Sequence, residues 1–231
     1  MTIALVLRHP LWQTIGLPLL GLLDVRATDI AQIPNQHGWQ FRTKLELAAV
    51  AVLRFADLVK AAGQTVWAVV DGAYAKRPFL QPLRRIGVTV VSRLRKDAAL
   101  RTVPRQPRTK QRGRPRKYGA KRIHLARRAV HPAGWQQVEC LIYGQQTIQT
   151  IKTFLATYRP ANGLIRVVIV KEPQGCEHFF CTDPQRRPSH ADRRKALRRQ
   201  TLHHEYSSLS AAHRLSSKIR FLYERLLQLA A

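Results

Sequence analysis

Apolar residues fall in short runs along the chain, and their spacing changes from segment to segment, each change predicting a different element. Ile3 to Leu7 is unbroken and predicts a short buried strand. Trp12 to Leu23 is also apolar, but Gly16, Pro18 and Gly21 interrupt it, so extended or irregular core is expected there. From Thr43 the period becomes helical. Leu45, Ala49, Val52, Ala56 and Val59 recur on one face, Thr43 and Glu46 have capping-box spacing, and Gly63 supplies a stop.

Thr65 to Val70 is continuously apolar and ends abruptly at Asp71-Gly72, which predicts a strand buried on both faces by neighbouring helices. Lys76 to Arg85 predicts a helix with Pro78 tolerated in its first turn, and Gly87 separates it from a strand over Val88 to Ser92. A strand, helix, strand unit of this kind crosses over right-handedly and builds parallel sheet. Residues 43 to 92 therefore predict a layered α/β domain with Asp71 at its carboxyl edge, where function usually sits.

The pattern is lost between Arg93 and Arg128. Fifteen Lys or Arg residues there face one acid, Asp97, and Pro104, Pro107, Gly113 and Pro115 argue against continuous regular structure, so a basic loop or arm is expected. Strand-length runs then return at Trp135 to Tyr143, Thr147 to Tyr158, Leu164 to Lys171 and His178 to Cys181. They predict an antiparallel meander whose clearest hairpin turns at Pro173-Gln174-Gly175. Beyond Pro184 the sequence is Arg-rich and then helical, with Leu215, Ile219, Leu222, Leu226 and Leu229 on one stripe.

Charge narrows the function. Forty Lys plus Arg against 13 Asp plus Glu give +27, a self-repulsion that calls for a polyanionic partner, nucleic acid first. A membrane surface is the weaker candidate and no membrane partner or transmembrane helix is expected, because the longest uncharged stretch, His9 to Leu23, contains Pro10 and Pro18 and is shorter than the roughly 20 residues of a span. Arg8 and Pro10 likewise interrupt any signal-peptide core. Three cysteines, Cys140, Cys176 and Cys181, suit a reducing cytoplasm, and a nucleoid-associated location is expected. Cys176, His178 and Cys181 lack a second ligand pair at finger spacing, so zinc is not expected.

Asp71 is the sharpest single position, since a carboxylate ending a strand and followed by glycine combines rigid support with an open approach. Position alone leaves a turn former or helix cap as the alternative. In the basic segment, Arg112-Gly113-Arg114-Pro115-Arg116-Lys117 resembles the AT-hook core. Gly and Pro keep such a backbone narrow, so that arginines can enter the minor groove of A/T-rich DNA; the alternative is a solvated basic loop. Trp135, Phe154, Tyr158, Phe179 and Phe180 are expected to be core rather than a stacking platform. His203, His204 and Glu205 are adjacent on a predicted helix and point apart, so no site is expected of them.

In order, Trp39-Gln40-Phe41-Arg42-Thr43-Lys44-Leu45-Glu46, then Val66-Trp67-Ala68-Val69-Val70-Asp71-Gly72-Ala73-Tyr74, then Val88 to Lys96 resemble DDE-type insertion-sequence transposases. The resemblance covers most of residues 1 to 184 and is to members with an RNase H-like core and a strand-rich insertion before the last catalytic helix. It implies an α/β fold: a partial RNase H-like core over residues 1–96, a basic DNA-contacting arm over 97–128, an antiparallel β-rich insertion over 129–184 and a divergent basic, α-helical tail over 185–231.

By the same resemblance Asp71 matches the second acid of an Asp, Asp, Glu triad and is the catalytic and Mg2+-binding residue. Arg93, Arg95 and Lys96, which follow the core's last strand, join Arg112, Gly113, Arg114, Pro115, Arg116 and Lys117 as DNA-contacting residues. The first acid is expected on a core strand ahead of Met1. The third should lie on a helix after the insertion, and none of Asp192, Glu205 and Glu224 has its neighbours. A change of reading frame or unrelated sequence near Pro184, where the composition turns Arg-dense, is the expected source of that departure. The resulting expectation is a DNA-binding, catalytically incomplete transposase remnant that recognises transposon ends or A/T-rich duplex, with homo-oligomerisation left open. Two alternatives stand beside it: an active metal-dependent nuclease or transposase using acids from a partner chain, and an RNA-binding or ribosome-associated basic protein.

Overall fold

The chain opens with an antiparallel ribbon in which β1 (Thr2–His9) pairs with β2 (Gln13–Gly21). The computed structural model describes residues 1–9, 13–33, 40–61, 63, 65–104, 113, 116–142 and 145–183. Both apolar N-terminal runs form strands, but β1 is not the buried strand its composition predicted. A two-stranded ribbon covers one face at most, so Ile3 and Leu5 are half-buried while Ala4 and Val6 point outward. Pro18 is accommodated in β2 opposite Ala4, beside a register shift between Ile3 and Ala4. After α1 (Ala27–Ile30), a single helical turn, comes α2 (Lys44–Ala61).

The start of α2 is fixed by the predicted capping box. The Thr43 N–H donates to Glu46 Oε2 at 2.9 Å, and the Glu46 N–H donates to Thr43 Oγ1 at 3.4 Å. These bonds, the backbone one foremost, hold the Glu46 carboxyl below the usual carboxylate range. Gly63, at φ +71, lies just past its end. The buried face carries Ala48, Ala49, Ala51 and Ala56, small side chains that let the helix backbone lie close to its neighbours, with Leu45 and Val52 packed at its margin.

β3 (Trp67–Val70) runs parallel to β4 (Thr89–Arg93), and α3 (Arg77–Arg85) is the crossover between them. Phe79, Leu80 and Leu83 of α3 are fully buried on the same core as α2. The expectation that β3 is buried on both faces is corrected. Ala68 is buried, yet Val69 is 42 % exposed, because β3 ends the strand order of its sheet among the described residues.

The remaining strands extend this sheet. They are β5 (Leu100–Arg101), β6 (Arg122–Ile123), β7 (Trp135–Ile142), β8 (Gln145–Tyr158), β9 (Gly163–Glu172) and β10 (Gly175–Cys181), with α4 (Leu125–Val130) between β6 and β7. The order is β3-β4-β10-β9-β8-β5-β6, with β7 on the amino-terminal half of β8. The meander thus joins the parallel pair directly, Phe179 opposite Arg93 and Cys181 opposite Val91.

Alternation along the central strands sorts side chains onto two faces. Val90, Val167, Ile169 and Phe180 face α2 and α3, while Val91, Val168, Val170, Phe179 and Cys181 form a second cluster on the reverse. Among the described residues no helix is long and apolar enough to cross a membrane. The leucine stripe of residues 215–229, with His203, His204 and Glu205, lies outside the described residues.

Candidate nucleic-acid interface and the Asp71 carboxylate

Asp71 follows β3 directly, at φ −69 and ψ 160, and caps a 3-10 turn, Gly72–Tyr74, its Oδ1 accepting the Gly72 N–H at 2.6 Å. Its carbonyl accepts from the Ser92 hydroxyl at 3.1 Å, which ties the end of β3 to the end of β4. Gly72 lies so close to β4 that a Cβ there would be 3.3 Å from the Arg93 carbonyl oxygen. The side chain of Asp71 is exposed. The carboxylate therefore caps a turn and is open to solvent at once.

Arg93 stands beside it but its charge is engaged. One guanidinium nitrogen is 3.1 Å from Glu177 Oε1, and the group lies 6.0 Å over the Phe179 ring. Arg95 holds Asp97 with two bonds of 3.1 and 3.2 Å, both side chains largely exposed, while Lys96 points to solvent. Glu177 is a residue that sequence reasoning missed. Strand alternation places it on the Phe179 face, but only the β4–β10 register puts it next to Arg93.

Among the described residues no group of three or more His, Cys, Asp or Glu is placed to hold a metal. Strand alternation puts Cys181 in the reverse-face cluster while Cys176 packs on the α2–α3 side. His178 is buried at 7 % exposure, and burial, with Lys96 nearby, pushes its imidazole below the usual histidine range. DDE enzymes generally use divalent metals. A two-ion centre with ions about 3.5–4 Å apart needs several carboxylates. Asp71 alone does not fit such a centre, although its exposed carboxylate could bind one Mg2+ weakly.

The described parts of the basic segment on either side of residues 105–112 are tied together. Leu100 and Arg101 pair with Ile123 and Arg122, and the Thr102 N–H donates to the Lys121 carbonyl at 2.9 Å. The Gly119 N–H returns to the Thr102 carbonyl at 3.0 Å, and Arg101 reaches the carbonyls of Gly119 and Ala120. Of the AT-hook-like residues, Gly113, at φ +108, and the exposed Arg116 and Lys117 are described; Arg112, Arg114 and Pro115 lie outside the described residues.

Cations here have neutral partners. Lys117 Nζ donates to Asn162 Oδ1 at 2.7 Å, Arg159 lies 5.9 Å over the Tyr118 ring, and Arg84 donates to the Ala161 carbonyl at 2.9 Å. Lys152, buried at 4 % exposure, donates to the carbonyls of Arg128 and His131 at the end of α4 and lies 4.7 Å over the Trp135 ring. Arg128 covers Phe154 at 5.3 Å. The aromatics expected in the core are mostly there: Phe179 and Phe180 are buried, and Tyr158 packs edge-on against Phe180 and donates its hydroxyl to the Ala75 carbonyl.

The family model described as DDE superfamily endonuclease matches residues 24–157, more than half of the chain. No curated protein matches it.

Proposed function

Because the chain belongs to the DDE superfamily of endonucleases, whose substrate is DNA, we propose that it is a transposase-derived DNA-binding protein of an insertion sequence, catalytically incomplete by itself. The observation that carries this reading is the concentration of positive charge in one segment of the chain. Residues 98–138 contain twelve Lys or Arg and no acid, and among the described residues Arg101 and Thr102 are hydrogen-bonded to the backbone of residues 119–121. Such a surface favours a polyanion. Asp71 supplies one carboxylate where two-ion phosphodiester chemistry calls for several.

In this reading the RNase H-like portion is the α2–β3–α3–β4 unit, and the arm lies along duplex DNA, either transposon ends or A/T-rich sequence. The test is binding and cutting measured on one preparation. Duplex affinity should fall by about 10³ to 10⁵ between 50 and 200 mM salt if roughly 6 to 10 phosphates are neutralised. Supercoiled plasmid incubated with Mg2+ or Mn2+ should stay uncut by wild type and by Asp71→Ala alike. Metal-dependent nicking that vanishes in Asp71→Ala would replace this reading with an active nuclease completed by acids from another chain. Preference for structured RNA over duplex DNA would replace it with an RNA-binding protein.

A further inference from the structure

We propose that the root of the basic arm is a seat for a backbone phosphate of duplex DNA, formed by Lys117, Arg159 and Arg84 around the turn between β8 and β9. The inference rests on the DNA-binding reading and deepens it by naming where a phosphate sits.

The turn is built to gather cations. Asn162 adopts φ +57, with its N–H bonded to the Arg159 carbonyl at 2.9 Å, and Gly163 follows at φ +154. Asn tolerates this left-handed backbone, and Gly163 leaves room for Arg84, whose Nη2 would lie 3.3 Å from a Cβ at that position. Asn162 Oδ1 accepts from both Lys117 Nζ and, at 3.4 Å, the Tyr118 hydroxyl. Arg84 arrives from the last turn of α3, and Lys117 arrives from the loop.

Each cation is held in place by a group that carries no charge: an amide oxygen for Lys117, a carbonyl for Arg84 and a ring face for Arg159. Neutral acceptors fix geometry without cancelling charge, so the side chains are ordered in advance and their field remains available to an anion. Arg84 is half-buried, and its desolvation strengthens attraction to an incoming anion, opposed by the nearby Asp183. Around Asp71 the opposite holds, since Arg93 and Arg95 are each paired with a carboxylate.

The anion is a polymer rather than a free phosphate because the cations continue along the chain. Arg116, Lys121, Arg122, Arg127 and Arg128 are all exposed between the seat and the end of α4, and none of them forms an ion pair among the described residues. A single phosphate would leave those cations facing water, whereas a duplex backbone carries many phosphates.

The test uses the full chain and a fluorescent mixed-sequence duplex, with affinity measured between 50 and 200 mM salt. Lys117→Gln and Arg159→Gln should each weaken binding several-fold and lower the salt slope by up to about 0.9, the value for one phosphate. The double variant should be little worse than either single, because both residues hold the same phosphate. Lys44→Gln, at an exposed lysine in the first turn of α2, should bind as wild type does. Asn162→Asp supplies the decisive arm, since it keeps a residue suited to the turn and offers Lys117 a carboxylate. The fold should be at least as resistant to urea as wild type while duplex binding falls.

Full binding by Asn162→Asp, or fully additive losses in the double variant, would overturn the seat and leave the broader reading standing. Failure of the wild-type chain to bind duplex would overturn both. Inorganic pyrophosphate bound as tightly as the duplex would assign the cations to a free anion and also overturn the proposal.

Discussion

Replacing Gly119 by alanine tests whether the arm is fixed at its root. An added Cβ would lie 2.2 Å from the Thr102 carbonyl oxygen and 2.3 Å from its Oγ1. The Oγ1 can rotate away, but the carbonyl belongs to the backbone that pairs with residues 119 and 121, so the two segments must part by more than about 1 Å to reach ordinary contact. That movement strains the Gly119–Thr102 and Thr102–Lys121 bonds and draws Arg101 away from its carbonyl partners. Overpacking typically costs about 1–3 kcal/mol and each weakened hydrogen bond about 0.5–1.5 kcal/mol, so a loss of roughly 3 kcal/mol is expected. Urea unfolding followed by far-ultraviolet circular dichroism measures it, with duplex affinity determined on the same sample. Gly16→Ala is the control, because nothing lies within 4 Å of its added Cβ. If Gly119→Ala unfolds at the wild-type midpoint and binds duplex normally, the loop is not clamped at Thr102 and the argument for an ordered arm root is wrong.

Three further outcomes are expected. Lys152→Met leaves the carbonyls of Arg128 and His131 without their buried donor and should destabilise the fold by about 1–3 kcal/mol in urea unfolding; unchanged stability would remove the lysine as the anchor of α4. His178 has its pKa lowered by burial in the folded chain, so the stability this contributes is complete above the ordinary histidine value and is lost as pH falls below it toward the folded value. Stability of wild type should therefore drop as pH falls below the ordinary histidine value, and His178→Gln should flatten that slope in denaturation at stepped pH. Tyr158→Phe removes the hydroxyl bond to the Ala75 carbonyl and should cost about 0.5–1.5 kcal/mol without changing duplex affinity; an equal loss of binding would place this tyrosine in the interface.

The helices were legible because their signals are local. Thr43 and Glu46 mark the start of α2 and Gly63 its end, each within a few residues of the terminus it marks, and Pro78 and Gly87 do the same for α3. Asp71 was legible for the same reason, as the first residue after an apolar run. The β1–β2 ribbon was half legible: the apolar runs gave strands, but whether a strand is covered depends on what lies across it, and no nearby residue records that. Glu177 beside Arg93, and Arg84 beside Asn162, were not legible at all. The first depends on a register between residues 84 positions apart, which the two-residue period of each strand leaves undetermined, and the second on how a helix packs against a turn whose Ala161 carbonyl lies 77 positions later. The charge surplus was plain from composition, whereas its division into paired and unpaired cations required coordinates.

The pairing of β4 with β10 also sets an order of events during synthesis. β4 is complete at residue 93, yet its second neighbour ends at Cys181, and the Val90 N–H waits for the hydroxyl of Thr182. Until the ribosome has made those residues, an apolar strand with Val90 and Val91 at its centre has an uncovered edge, a template for aggregation that a chaperone would have to shield. Contacts this distant in sequence are slow to close, so assembly of the nascent chain is governed by the last hairpin to emerge rather than by the helices that emerge first.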